Sequence, residues 1–220
     1  MVTTKIMTSI KSFCFNLFQE NTYIIWNNAT KNCWIIDPGC MNEQEQQKVF
    51  NFIETQQLNP VRLLNTHCHL DHIYGNKPVA EKYGLQLGIH QEEVKILNAA
   101  GLSARMFGAP VPEEIEPSYF LEENDFIDLD GVSFKVLFTP GHSPGSICFY
   151  NETDKYCIVG DVLFSRSIGR TDLPYGDYDT LIDSIRAKLY PLDELTEIYN
   201  GHGIPTSIAQ EKRHNPFVRG

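Results

Sequence analysis

Apolar residues in this chain alternate between short aromatic or β-branched runs and stretches with helical spacing. That mixture predicts strands and helices in both halves. Residues 12–18 and 22–27 are aromatic-rich runs on either side of Gln19-Glu20-Asn21, and 33–37 follows a polar segment at 27–32. The three read as an opening antiparallel meander. Asn42 and Glu45 have the spacing of a helix-capping pair, with Val49, Phe52 and Ile53 recurring at helical intervals behind them. A short buried strand is expected over 61–66, a helix over 77–83, a strand over 86–90 and a further helix from Gln91.

A Pro- and Glu-rich segment at 109–123 interrupts this pattern. Beyond it, 126–129 and 132–138 flank Asp130-Gly131, a hairpin signature. Runs at 147–150 and 156–159 form another pair, Leu181, Ile182, Ile185 and Leu189 mark a helical stripe, and 197–200 is the last expected strand. Strand clusters with helices in each half predict two packed sheets with helices on the outer faces. With no repeat and no dividing linker, residues 1–220 are expected to form a single domain.

Composition narrows the function without supplying it. The formal net charge of -10 argues against a phosphate-tracking surface, and so against a nucleic-acid partner. No apolar run reaches membrane-spanning length, and Met1-Val2-Thr3-Thr4-Lys5 lacks the apolar core of a signal peptide. The six cysteines form no CxxC pair, which suggests thiols packed as small hydrophobes in a reducing compartment. A cytoplasmic protein without a membrane partner is expected; its oligomeric state is not encoded in any visible pattern.

The chemistry is carried by five of the seven histidines and two aspartates. The core is Thr66-His67-Cys68-His69-Leu70-Asp71-His72, followed by Gly141-His142, Gly160-Asp161 and Gly201-His202-Gly203. Imidazole and carboxylate are ligands that zinc and iron favour, and four such groups within six residues exceed what packing explains. Each candidate sits at or just past an expected strand end, where glycine lets the chain turn sharply and approach an ion. Strand ends on one edge of a scaffold converge on a single cleft, so the set reads as a two-metal site. Two ions about 3.5–4 Å apart share a water, lower its pKa toward about 7, and polarise a carbonyl.

With these motifs the chain resembles the metallo-β-lactamase superfamily, and within it the glyoxalase II-like hydrolases. Further similarity lies in Thr139-Pro140-Gly141-His142-Ser143-Pro144-Gly145, in Ser167-Ile168-Gly169-Arg170-Thr171-Asp172, and in Glu211-Lys212 with Asn215-Pro216-Phe217. The resemblance implies an α/β, four-layer αββα sandwich of two mixed sheets with the site at one edge. It implies that His67, His69 and His142 hold one ion, that Asp71, His72 and His202 hold the other, and that Asp161 bridges them. Zinc is the first expectation for the two divalent ions, with iron or a zinc/iron pair as the alternative. Asp71, a ligand by resemblance, is also the candidate for steering a proton.

Residues around the motif have plainer readings. His90 and His214 read as ordinary surface or hydrogen-bonded histidines, and Cys68, between two ligands, as a packing residue. Asp172 and Asp177 read as loop partners or helix caps. In the glyoxalase II-like family a basic residue in the loop after the bridging aspartate contacts glutathione, so the resemblance makes Arg170 a candidate for gripping a substrate carboxylate. Pairing with Asp172 to stiffen the loop is the competing reading. Tyr175 in the same loop is a candidate for lining the entrance.

The stretch after Gly203 is too short for the helical domain that supplies much of the glutathione site in glyoxalase II, so none is expected here. The reaction implied is hydrolysis of a small-molecule thioester such as a hydroxyacylglutathione. The alternatives are a mononuclear-iron persulfide dioxygenase, using His67, His69 and Asp161 or His142, and a hydrolase of another ester, lactam or lactone.

Overall fold

The computed structural model describes residues 7–219; the opening residues read above for a leader lie outside them. The first sheet has six strands in the order β1 (Thr8–Phe15), β2 (Glu20–Asn27), β3 (Asn32–Ile36), β4 (Asn59–Leu64), β5 (Leu87–Ile89) and β6 (Tyr119–Phe120). Its first three strands form the expected antiparallel meander, and β3 to β6 pair in parallel. The second half supplies β7 (Phe126–Asp128), β8 (Ser133–Phe138), β9 (Ile147–Asn151), β10 (Tyr156–Gly160), a small hairpin of β11 (Leu163–Phe164) and β12 (Ser167–Ile168), then β13 (Glu197–Asn200) and β14 (Thr206–Ser207). Its six-stranded sheet runs β14-β13-β10-β9-β8-β7, with β10 and β13 parallel and the other pairs antiparallel. The helices are α1 (Glu43–Thr55), α2 (Leu70–Ile73), α3 (Asn76–Tyr83), α4 (Val94–Asn98), α5 (Ala100–Phe107), α6 (Tyr178–Ser184) and α7 (Ile208–His214).

Three apolar layers hold these elements as an αββα sandwich. Tyr23, Ile25, Trp34 and Ile36 on the first sheet meet Phe134, Val136, Phe149 and Ile158 on the second, with Trp34 and Phe134 rings 4.7 Å apart. The other face of the first sheet, through Ile24, Cys33, Ile35 and Leu63, packs on Val49 and Ile53 of α1 and Val79 of α3. The other face of the second sheet, through Cys148, Cys157, Val159 and Ile198, packs on Leu181, Ile182 and Ile185 of the α6 region and Ile208 of α7. Each such side chain, fully buried, contributes roughly 1.5–3 kcal/mol. Strands buried on both faces explain why β9 and β10 read as continuous apolar runs and not as alternating ones.

Local signals act where expected. Asn42 caps α1 by accepting from the Glu45 backbone N–H at 3.0 Å. Asp130 and Gly131 take φ of 52° and 85°, which turns β7 into β8. Some boundaries differ from the sequence reading. The run at 12–18 ends as a strand at Phe15, because Asn16 and Gln19 adopt positive φ to bring Phe15 opposite Glu20. The Pro- and Glu-rich segment contains β6, the stripe at 181–189 passes from α6 into a π-helical turn at Ile185–Leu189, and β14 and α7 were not expected. Cys14 corrects the expectation of packed thiols: it is exposed, since alternation along β1 turns Phe13 and Phe15 inward and Cys14 outward. Among the described residues no helix is long and apolar enough to cross a membrane.

Candidate metal centre

Four strands end at the same edge of the sandwich, and their continuations carry the motif residues. After β4 the chain bends at Thr66 and passes through His67 to His69, whose backbone is extended; Asp71 and His72 then lie on the single turn of α2. His142 follows β8, Asp161 follows β10 and His202 follows β13. The register of β10 on β13 shifts between Ile158 and Gly160, a bulge that re-aims the residue after it. Gly160, at φ 52°, would drive a Cβ into the Thr66 hydroxyl, and a Cβ on Gly201 would overlap Asp161 Oδ1. Both glycines are therefore needed for the approach of these loops.

The seven side chains form two adjoining groups. His142 Nε2 is 2.8 Å from His69 Nδ1 and 3.2 Å from His67 Nε2. His202 Nε2 is 3.1 Å from Asp71 Oδ2, and His72 Nε2 is 3.7 Å from the same oxygen. Both triads are arranged closely enough to hold a metal ion, their donor atoms lying within 4.8 Å of one another. Asp161 stands between them. Its Oδ1 is 3.5 Å from His72 Nε2, while its Oδ2 is 3.5 Å from His142 Nε2 and 3.4 Å from His202 Nε2.

The surrounding hydrogen bonds decide which ring nitrogen faces inward. Thr66 Oγ1 donates to Asp37 Oδ2 at 2.6 Å, so toward His67 Nδ1, 3.1 Å away, it acts as acceptor. His67 Nδ1 therefore carries the proton and Nε2 presents its lone pair. His142 Nδ1 donates to the Arg170 carbonyl at 2.8 Å and His202 Nδ1 to the Phe18 carbonyl at 3.0 Å, with the same result. His72 Nδ1 faces Asp37 Oδ2 at 3.2 Å. Four rings thus offer Nε2 and His69 offers Nδ1.

Electrostatics separate the two groups. Burial pushes His67, His69 and His142 down, His69 to about 3, so these imidazoles are neutral donors at pH 7. Burial also opposes charge on His72, but Asp71 and Asp161 outweigh it and hold His72 well above the usual range. At His202 burial is likewise overcome, by hydrogen bonds to Asp161 and Asp71 that lift it to about 10. Asp161 stays ionised despite burial because His72 and His202 lower it. The locus seeks positive charge.

Divalent cations fit that demand. His72 Nε2 and Asp161 Oδ1 are buried with no hydrogen-bond partner in the protein, and an unsatisfied buried polar atom costs about 1–3 kcal/mol. Three neutral nitrogens facing one another are also repulsive unless a cation or proton lies between them. The donor set of imidazole and carboxylate matches zinc or iron chemistry equally.

Four residues around this centre were not singled out from sequence. Asp37, at φ 49°, is buried and accepts from the Thr66 backbone N–H at 2.7 Å as well as from its hydroxyl. Glu20 is buried with Oε1 3.9 Å from His72 Nδ1, and burial pushes its carboxyl up. Glu93 is buried and accepts from the Cys68 and Gly145 N–H groups, each at 2.7 Å, and from the Ser143 hydroxyl. In the sequence Thr66 marks only an expected strand end. The one local signal was an acidic residue inside an apolar segment, at Asp37 after Ile35-Ile36.

The remaining sequence candidates divide cleanly. Arg170 lines the cavity over the site, but its Nε and Nη2 bind Asp172 at 2.7 and 2.8 Å, which is the loop-stiffening arrangement. Tyr175 lines the same cavity and is exposed, with Lys95 Nζ 5.0 Å from its ring. Cys68 packs in the core and burial pushes its thiol up. His90 stacks on Phe138 and caps the turn at Gln91–Glu93, His214 is exposed, and Asp177 caps α6.

Comparison with known proteins places this arrangement. The family model described as the metallo-beta-lactamase superfamily matches residues 15–202, a span containing all seven motif residues. Hydroxyacylglutathione hydrolase GloC of Haemophilus influenzae is 41% identical over 203 residues, 91% of this chain and 93% of that protein. The crystal structure of BLEG-1 B3 metallo-beta-lactamase is similar with a TM-score of 0.88 at 35% identity, covering 96% of this chain and 100% of that one. TTHA1623, solved in a di-iron-bound form, has a TM-score of 0.84 at 35% identity, covering 94% and 100%. A family model spanning residues 15–202 and a relative 41% identical over nine-tenths of both chains show that the chain belongs to the metallo-beta-lactamase superfamily.

Proposed function

We propose that this protein is a dinuclear metal-dependent hydrolase acting on a small-molecule thioester. The observation that carries the reading is the Asp161 carboxylate, which reaches His142 of one triad and His72 and His202 of the other at 3.4–3.5 Å. In this reading His67, His69 and His142 hold one ion, Asp71, His72 and His202 the other, and Asp161 both. Two divalent ions, when bound, supply a nucleophilic water near neutral pH and a Lewis acid for the acyl carbonyl. The protein's own part is to fix the donors: Thr66 and the Arg170 and Phe18 carbonyls lock His67, His142 and His202 with Nε2 inward. Asp71 opens onto the cavity and, although burial opposes it, His72 and His202 keep it ionised, which suits it to accept a proton.

The 41% identity to a hydroxyacylglutathione hydrolase supports a thioester as substrate and hydroxyacylglutathione as the first compound to assay. The likeness to BLEG-1 favours a second reading, lactam hydrolysis. Clustering of Asp71, His72 and His202 supports two ions over the single iron of a persulfide dioxygenase. Zinc is the proposed metal, with iron as the alternative that the di-iron form of TTHA1623 keeps open. Metal analysis of protein purified without added metal, paired with thioester and β-lactam hydrolysis assays, tests the reading. Two ions per chain and thioester turnover are expected. One iron with oxygen consumption on a persulfide, or lactam turnover alone, overturns it.

A further inference from the structure

The wall of the active-site cavity is more apolar than a glutathione conjugate calls for. The cavity measures about 650 Å³, with His69, Asp71, His142, Asp161 and His202 among its lining. Ala99, Leu102, Ser103 and Met106 line it at the spacing of a single helical face. α5 already buries Ala104 against Leu70 and Tyr74, so it is apolar on two sides. Leu102 and Met106 remain 61% and 71% exposed, and the fold gains nothing by keeping such side chains at the surface. Across the opening, Phe18 meets Phe107 edge to face at 6.1 Å. The turn that carries Phe18 also orients His202, through the Phe18 carbonyl. The apolar wall and the reacting centre are thus one structure.

Charge points the same way. Glutathione carries two carboxylates, yet among the described residues lining the cavity Arg170 is the one Lys or Arg, and Asp172 engages it in two hydrogen bonds. Lys95, near Tyr175, is paired with Glu92 at 2.6 Å.

We infer that the preferred substrate is a thioester whose acyl group is a medium-length hydrocarbon chain, laid along the α5 face formed by Leu102 and Met106. This rests on the thioester-hydrolase reading and specifies its substrate. The reaction is ordinary hydrolysis: a C–O bond forms from water and the C–S bond breaks. One water proton goes to the departing sulfur and the other to solvent, leaving a carboxylate and a thiol. Methionine at position 106 suits a chain of variable length, since its thioether side chain adapts to irregular surfaces.

The test uses the metal-loaded full-length protein and acetyl, butanoyl, hexanoyl and octanoyl thioesters of one uncharged thiol, N-acetylcysteamine. kcat/KM should rise about fourfold per methylene that leaves water. Leu102→Ser/Met106→Ser should cost the hexanoyl ester about tenfold more than the acetyl ester. Both positions are exposed, so the melting temperature should not move and checks folding. Affinities of the matching non-hydrolysable thioethers, measured by calorimetry, provide a readout apart from turnover. A flat acyl series with acetyl turnover intact overturns the inference and leaves thioester hydrolysis standing. So does dependence on the thiol chain with none on the acyl chain. Thioether affinity that climbs with chain length while no thioester turns over supports the apolar site and sinks the thioester reading. Failure of both readouts overturns both.

Discussion

Asp37 accepts a hydrogen bond from the Thr66 hydroxyl at 2.6 Å, and that bond determines which nitrogen of His67 faces the metal centre. The same Asp37 oxygen lies 3.2 Å from His72 Nδ1, so one carboxylate orients a donor in each triad. Asp37→Ala should weaken binding of both ions by about 10–100-fold. It should also destabilise the protein by about 1–3 kcal/mol, through the buried Thr66 N–H left unpaired. Chelator competition and thermal melting read the two effects. Unchanged metal affinity would show that the histidines need no such support.

Asp161 and His202 offer a contrast in how many ions depend on them. Asp161→Ala should lower occupancy at both positions, because its two oxygens face donors of both triads. His202→Ala should release one ion and leave the other near full occupancy. Metal content after gel filtration measures this directly. Full retention of two ions by Asp161→Ala would exclude the shared-carboxylate arrangement.

The pH response of the chelated protein follows from His202. Its folded pKa of about 10 stands above the ordinary value of about 6.5. The stabilisation from its proton is therefore complete below about pH 6.5 and is lost as pH rises toward about 10. A metal ion must displace that proton, so affinity should increase with pH over the same window, with proton release on binding. Melting midpoints of chelated protein from pH 6.5 to 10, and calorimetry in buffers of different ionisation enthalpy, check both signs. A midpoint that climbs through this window in chelated protein would contradict the His202 assignment.

Glu93 joins the loop of Cys68 to the loop of Ser143 and Gly145 through three buried hydrogen bonds. Glu93→Ala should cost about 2–4 kcal/mol, and for a chain of this size about 2–4 °C of Tm per kcal/mol. Because His67, His69 and His142 flank these loops, kcat should fall with little change in KM. A mutant that melts normally would mean the loops hold themselves.

Arg170 bears on the loop more than on charge. With its guanidinium on Asp172 and its carbonyl on His142, Arg170→Ala should reduce kcat/KM for a glutathione thioester and an uncharged thioester by the same factor. A loss confined to the glutathione thioester would show that the side chain leaves Asp172 to grip substrate.

Much of this was legible in the sequence because it is encoded over short distances. Period-two runs and capping pairs fixed most strands and α1, and the His-x-His-x-Asp-His stretch with three Gly-flanked residues marked the centre, since strand ends on one edge must converge. The Ser207-to-Gln210 spacing that caps α7 is just as local. Other features had no local signature. Asp37 and Thr66 are 29 residues apart, and Glu93 and Gly145 are 52 apart. Their hydrogen bonds exist only once β3, β4 and the later loops are stacked. The choice of Asp172 as the partner of Arg170, and the exposure of Leu102 and Met106 over the cavity, were likewise set by packing. A helix apolar on two sides reads from sequence as merely buried; the tertiary structure decides which side the core takes and which it leaves for a ligand.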